Sequence, residues 1–265
     1  MTPVSPAPAD RPARLLFVHA HPDDETLTCG TAMAHYARAG HEVVVLTCTL
    51  GEEGEVIPPE LAHLASDRCD TLGPWRREEL REAMTRLGVR HAVLGEDRAC
   101  GVLSRYRDSG MAGSPAAARP GAWVNADPDE AADLIGAHIR GVRPDVVVTY
   151  DEHGGYRHPD HVQTHRMTVR AVASLREHER PARLALVLTP QSWAREDRAW
   201  LRAHVPPGAG LTLLGDDAPY PALVVPDEVV THAVADPAAV PAQARALAAH
   251  RTQVTVFDGY YALSN

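Results

Sequence analysis

Hydrophobic residues gather in four short runs along the first 150 positions: Leu15 to Val18, Val43 to Thr47, Ala92 to Leu94 and Val146 to Tyr150. The second and fourth are unbroken and rich in β-branched residues, the pattern of strands buried on both faces of a parallel sheet. Between the runs the spacing turns helical. Leu27 to Ala39 stops at Gly40, and Arg77 to Leu87 stops at Gly88, each ending on the residue that best adopts a left-handed C-cap. Asp127-Pro128-Asp129-Glu130 supplies a cap, a proline at the first helical position and an acidic first turn, opening a helix through Ile139. A fourth helix is predicted from His158 to about Leu175. Strand–helix alternation of this kind predicts an α/β fold, a Rossmann-like and mostly parallel sheet flanked by helices.

Two stretches break the rhythm. Residues 96–126 are too long for a plain connection, which marks a functional lid or a disordered segment. Past Arg180 the pattern loosens into a strand (Leu184 to Leu188), a helix (Ser192 to Ala203), short strands near Leu211, Ala222 and Val229, and an Ala-rich helix from Pro237 to Ala249. The expected organisation is a disordered tail over residues 1–13, a catalytic core over 14–180, and a smaller mixed α/β region over 181–265 packed on that core.

Composition narrows the chemistry. A chain of 265 residues with 45% hydrophobic and 23% charged residues is an ordinary soluble protein. All 26 basic residues are arginine, so Schiff-base enzymes, pyridoxal-phosphate aldimines and lysine-dependent nucleotide sites are excluded. A formal net charge of −9 with no basic run argues against nucleic acid or an anionic membrane as partner. Cys29, Cys48, Cys69 and Cys100 form no CxxC pair, so buried thiols in a reducing compartment are expected rather than disulfides or a thiolate zinc site. The N-terminus lacks an apolar signal core and no run reaches the length of a membrane span, so the expected location is cytoplasmic. A homo-oligomer is compatible with all of this.

Ligands of open α/β sheets bind beyond the carboxyl ends of the strands. Four polar clusters fall at such positions: His19-Ala20-His21-Pro22-Asp23-Asp24-Glu25, Gly51-Glu52-Glu53-Gly54-Glu55, Arg105 to Gly110, and Asp151 to His161. Imidazole and carboxylate suit zinc, whose catalytic sites use three protein ligands and one open position. His21 and Asp24 are three apart across a strand-to-helix turn, and His161 can complete the set. His158 and His161 project from one helical face. His165 shares that face and reads as packing or support for the site. Arg76 opens a helix, where its charge opposes the dipole, so a ligand-facing role is expected.

The segments RLLFVHAHPDDETL, VVVLTCTLGEEGEVI, YRDSGMAG, RPDVVVTYDEHGGYRHPDHVQTH and AHRTQV…ALSN resemble the LmbE-like (PIG-L) N-acetylglucosamine deacetylase family. HPDDE with HPDH carries the family likeness, while LGEEGEVI with RDSGMAG points to its mycothiol branch. The resemblance implies that His21, Asp24 and His161 hold one zinc, with iron(II) fitting the same ligands, and that Asp23 is the general base. It implies that Tyr156 and His158 act on the reacting amide with Asp160 supporting His158, and that Glu55, Arg76, Asp108 and Met111 line a sugar–inositol pocket. Asp160 is expected to hold the His158 tautomer and raise its pKa.

The implied reaction releases acetate and glucosaminyl-inositol from N-acetylglucosaminyl-inositol. Two departures stand out. Arg157 occupies a position where the family commonly has a small residue, and the chain stops at ALSN where the family pattern runs on. A mycothiol S-conjugate amidase, or a deacetylase of another small-molecule pathway, would use the same metal residues. A non-haem iron oxygenase would share the ligand types but expects a β-rich jelly roll. A sugar-binding protein without turnover would have no need of Asp23, Tyr156 and His158.

Overall fold

Strand β1 (Arg14–His19) sends Leu15 and Phe17 into one hydrophobic core and Leu16 and Val18 into another. Only a strand covered on both faces behaves this way, which explains why its apolar run does not alternate. The computed structural model describes residues 11–263. From β1 the chain runs through helix α1 (Asp24–Arg38), β2 (Glu42–Thr47), α2 (Leu72–Leu87), β3 (Arg90–Val93), α3 (Pro128–Val142) and β4 (Val146–Tyr150). A kinked helical turn α4 (Gly154–Arg157) leads into α5 (Pro159–Ser174) and β5 (Arg183–Val187). The remainder holds β6 (Thr189–Pro190), α6 (Gln191–His204), β7 (Val224–Val225), α7 (Val240–Leu247), β8 (Val254–Val256) and β9 (Tyr261–Leu263).

Five strands form one parallel sheet in the order β3-β2-β1-β4-β5. The chain proceeds outward from β1 to β3, then returns to the other side of β1 with β4. The switch point therefore lies between β1 and β4, where ligands of such sheets bind. One core unites the sheet with Met33, Ala34, Leu80, Met84 and Ala246 from α1, α2 and α7. The other unites it with Ile135, Ile139, Met167 and Ala171 from α3 and α5, and with the fully buried Trp123 of the long connection.

The expected helix stops form as read. Gly88 caps α2 at φ 72°, and Asp127 accepts from the backbone N–H groups of Asp129 and Glu130 at the start of α3. Several boundaries differ. Helix α2 begins at Leu72, five residues before the expected Arg77. No strand forms near Leu211, and Val229 lies in a short 3-10 turn. Near Ala222 only Val224–Val225 pairs, with β6, and β8 and β9 add an antiparallel hairpin that the pattern did not announce.

The core sheet does not end at residue 180, because its edge strand β5 lies beyond that point. Of the tail expected over residues 1–13, the part up to residue 10 lies outside the described residues. Ala13, by contrast, is fully buried, and its N–H donates to His41 Nδ1 at 3.0 Å. The long connection over 96–126 is ordered by 3-10 turns and by hydrogen bonds such as Trp123 N–H to the Arg107 carbonyl at 2.8 Å. Among the described residues no helix is long and apolar enough to cross a membrane.

Candidate metal centre

The turn after β1 carries His21 and the first residue of α1 is Asp24, while the first turn of α5 brings His161 across the switch point. Asp24 Oδ2 lies 3.3 Å from His21 Nδ1 and 3.2 Å from His161 Nε2, and the two nitrogens are 3.3 Å apart. A tetrahedral zinc with bonds of about 2.0–2.1 Å holds its donors roughly 3.3–3.4 Å from one another. The three side chains are buried and form a triangle of that size.

Each also has an outer partner. His21 Nε2 is 3.2 Å from Asp160 Oδ2 and 3.5 Å from Asp108 Oδ1. His161 Nδ1 is 3.2 Å from the Gly154 carbonyl, and Asp24 Oδ2 accepts from the Tyr150 hydroxyl at 2.7 Å and the His21 N–H at 3.0 Å. Metal-ligating imidazoles are oriented in this manner, the second ring N–H going to a carboxylate or carbonyl. Two wider groupings, His21 with His158 and His161 and His21 with Asp108 and Asp160, keep their donor atoms within 4.8 Å. The second of these meets His21 through Nε2, the nitrogen turned away from the compact triangle.

Electrostatics follow from burial and crowding. Burial opposes charge on His21, yet Asp108, Asp160 and Asp24 together raise its pKa well above the usual imidazole value. Burial likewise disfavours ionised Asp24, but His161 and His21 hold it well below the usual carboxylate range.

Asp23 sits at the N-cap of α1 with φ 117°, a conformation that costs a non-glycine residue energy and clusters at functional sites. Burial pushes its carboxyl up to about 6 against the opposing pull of Arg76. Its backbone N–H donates to Glu25 Oε2 at 3.2 Å. The turn after β4 depends on glycine: Gly154 has φ 64°, and a Cβ there would stand 2.6 Å from the Val162 nitrogen.

His158 is both an active-site candidate and the N-cap of α5. Its Nδ1 accepts the Asp160 backbone N–H at 3.1 Å. This corrects the expectation for Asp160, whose carboxylate turns to His21 and to the Ser109 N–H at 2.9 Å rather than to His158. The pKa of His158 is lowered to about 3 instead of raised, by burial and by the neighbouring His21 and His161 rings. Tyr156 is half exposed beside them, its ring centroid 5.0 Å from that of His161. Desolvation at its hydroxyl, with Asp24 nearby, raises its pKa and keeps it protonated.

The expected pocket residues divide. Asp108 is buried against the triangle, accepting from Gly110 and Glu53 N–H groups at 2.8 and 3.1 Å. Arg76 is buried too, but its donors go to the Gly51 carbonyl at 2.8 Å, the Pro22 carbonyl at 2.5 Å and Asp23, not outward. Glu55 and Met111 are exposed. His165 Nδ1 donates to the Tyr150 carbonyl, 2.8 Å away. Cys29 and Cys48 are buried thiols as expected, whereas Cys69 and Cys100 are exposed. Tyr150, which the sequence pattern places only as the last residue of a strand, lies beside the triangle, and its position immediately before a polar cluster is the signal for that. A separate concavity of about 340 Å³ between α6 and β9, lined by Leu201, Leu211 and Tyr260 among others, includes none of these groups.

A buried histidine–carboxylate triangle at the switch point of a parallel sheet is an arrangement suited to a metal-dependent hydrolase built on an α/β sheet. Within that class the sequence comparisons are specific. The family model "PIG-L: GlcNAc-PI de-N-acetylase" matches residues 16–172, and the chain belongs to this family of metal-dependent amidohydrolases. A protein of Thermobifida fusca named 1D-myo-inositol 2-acetamido-2-deoxy-alpha-D-glucopyranoside deacetylase is 46% identical over 95% of this chain and 87% of its own length. One of Streptomyces avermitilis with the same name is 47% identical over 95% and 86%. In solved structures, an A40926 pseudoaglycone deacetylase matches with a TM-score of 0.52 at 21% identity, covering 94% of this chain and 86% of that one. At that identity the likeness speaks for the fold alone.

Proposed function

We propose that this protein is a zinc-dependent deacetylase that converts N-acetylglucosaminyl-inositol to glucosaminyl-inositol and acetate in mycothiol biosynthesis. The observation that carries the metal chemistry is the triangle of His21, Asp24 and His161 with edges of 3.2–3.3 Å beside a conformationally strained Asp23. Support for the substrate comes from the names of relatives that match 95% of the chain at 46–47% identity. Four unpaired cysteines agree with a reducing cytoplasm.

A zinc held by His21, Asp24 and His161 would supply Lewis-acid chemistry, lowering the pKa of a water toward about 7. Asp23, with its carboxyl raised to about 6, is matched to accept a proton near neutral pH, a contribution of roughly 10²–10⁴-fold for a general base. Tyr156 keeps its proton and donates to the oxygen on which negative charge develops. His158 has Nδ1 committed to the Asp160 N–H, so Nε2 is the atom that holds or moves a proton toward the departing amine. Asp108 and Asp160 keep His21 oriented from its outer nitrogen. Glu55 and Met111, both exposed, are offered as contacts for the inositol end, and Arg76 as the residue that sets the Asp23 carboxylate.

The test is release of free amine from N-acetylglucosaminyl-inositol by zinc-loaded protein, with a mycothiol S-conjugate run in parallel. Rapid release from the acetylated pseudo-disaccharide supports the proposal. Release from the conjugate alone keeps the metal chemistry and moves the substrate to the amidase. Asp23→Ala is expected to keep zinc and lose turnover, and His21→Ala to lose both.

A further inference from the structure

Tyr150 is buried at the end of β4 and touches two corners of the triangle at once. Its hydroxyl donates to Asp24 Oδ2 at 2.7 Å and accepts the Ala20 N–H at 2.8 Å. Its ring stacks on His161, with centroids 4.3 Å apart and planes 15° from parallel. The ring edge also meets His19, with centroids 5.0 Å apart. Among the described residues, no other residue outside the triangle and its neighbouring loop combines a hydrogen bond to one of the three side chains with face-to-face packing on a second.

The consequence is geometric. A carboxylate rotates freely unless its oxygens are held, and an imidazole on a helix turns about its side-chain bonds unless a surface limits it. Strand β4 is paired on both sides in the sheet, so Tyr150 carries the rigidity of that strand to Asp24 on α1 and to His161 on α5. The Ala20 N–H fixes the hydroxyl rotor: with one lone pair occupied by that donor, the proton is directed to Asp24.

We infer that Tyr150 is a positioning residue of the metal site, setting Asp24 by its hydroxyl and His161 by its ring so that both are preorganised for a divalent cation. The inference rests on the reading of His21, Asp24 and His161 as ligands. Tyr150 itself binds no metal and touches no substrate. Partners that orient a metal's ligands typically change affinity by about 10–100-fold when removed.

The experiment measures zinc affinity by chelator competition, together with the visible absorption of the cobalt(II)-substituted protein. Tyr150→Phe keeps the ring on His161 and deletes only the hydroxyl, so affinity is expected to fall roughly 10-fold with an altered cobalt spectrum. Tyr150→Leu removes the stack as well, and a further loss is expected. In an Asp24→Asn background the Tyr150→Phe effect should shrink, because the hydroxyl then has no ligand carboxylate to direct.

Thermal unfolding of the metal-free proteins separates this from a general loss of structure. If Tyr150→Phe unfolds near the parent temperature yet binds less tightly, the role is local. Wild-type affinity and an unchanged spectrum in Tyr150→Phe would overturn the inference. Stoichiometric zinc on His21→Ala would instead overturn the ligand reading beneath it, so the two failures are distinct. Should Tyr150→Leu not fold, Tyr150→Phe alone decides.

Discussion

Arg76 Nη2 lies 3.2 Å from Asp23 Oδ2, and both side chains are almost wholly shielded from water. The same guanidinium donates to the carbonyls of Gly51 and Pro22, tying the loop after β2 to the loop after β1. Breaking a buried ion pair by removing one partner leaves an uncompensated charge and costs about 3–5 kcal/mol. Arg76→Met is therefore expected to lower unfolding free energy by an amount in that range, measured by urea denaturation of the zinc-loaded protein. Kinetics sharpen the point. A residue that positions Asp23 should lower kcat, whereas one that merely greets substrate should raise KM. The structure predicts the first, and a pure KM effect in Arg76→Lys would contradict it.

Thr252 anchors the C-terminal segment to α2. Its hydroxyl donates to Glu79 Oε2 at 2.7 Å and its N–H to Glu79 Oε1 at 3.0 Å, with the Trp75 indole N–H reaching the same carboxylate at 3.1 Å. Glu79 is buried, so its carboxylate oxygens rely on these donors for hydrogen bonds. A hydrogen bond to a charged group contributes about 1.5–3 kcal/mol. Thr252→Val keeps volume and deletes the hydroxyl, and a loss in that range is expected from denaturant unfolding. Thr252→Ser should recover most of it.

Much of this architecture is readable because the responsible forces are local. The apolar run Val146–Tyr150 is the strand observed, and Gly88 and Asp127 end and begin helices where such residues must. Helix α2 shows where local reading fails. Gly73 and Pro74 look like breakers, yet a proline in the first turn removes an N–H that has no helical acceptor anyway. The strand read near Leu211 fails for the opposite reason: a short apolar run needs an available sheet edge, which tertiary structure supplies or withholds.

At the candidate metal centre the motif spacing points to His21, Asp24 and His161, whose donor atoms the fold brings within 3.3 Å of one another. The partner of each was invisible. Whether the Asp160 carboxylate turns to His158 or to His21 depends on the cap of α5, where His158 takes the Asp160 backbone N–H and leaves the carboxylate free for His21. The helix dipole alone points Arg76 toward a ligand, while its length lets it fold back across two loops.

Acid should find a weak point at the sheet's amino edge. Asp145 accepts from the Arg14 N–H at 2.9 Å and pairs with the Arg11 guanidinium, and these donors hold its pKa below the ordinary carboxylate value despite some desolvation. A depressed folded pKa contributes stability that is present above the unfolded value and lost as pH falls through the folded one. Asp145→Asn is thus expected to lower Tm at pH 7, with the gap to wild type closing as pH drops below about 4. Salt should narrow the gap as well, because Arg11 is well exposed. A difference in Tm that stays constant from pH 7 to pH 3 would show that the carboxylate's charge is not the source.

Arg157 and Gly154 make opposite predictions from the same turn. Arg157 has φ 73° and, among the described residues, no hydrogen bond or ion pair compensates for that conformation. A left-handed L-residue costs roughly 1–2 kcal/mol, and glycine avoids most of it while adding some freedom to the unfolded chain. Arg157→Gly is therefore expected to raise unfolding free energy by about 0.5–1 kcal/mol. Gly154→Ala confronts both a positive φ and a Cβ 2.6 Å from the Val162 nitrogen and 2.8 Å from His161 Cβ. Since His161 stands at a corner of the triangle, that alanine should weaken zinc binding as well as stability. Measuring both quantities on the two variants separates strain that the fold merely tolerates from strain on which the site depends: Arg157→Gly should move stability alone, Gly154→Ala both.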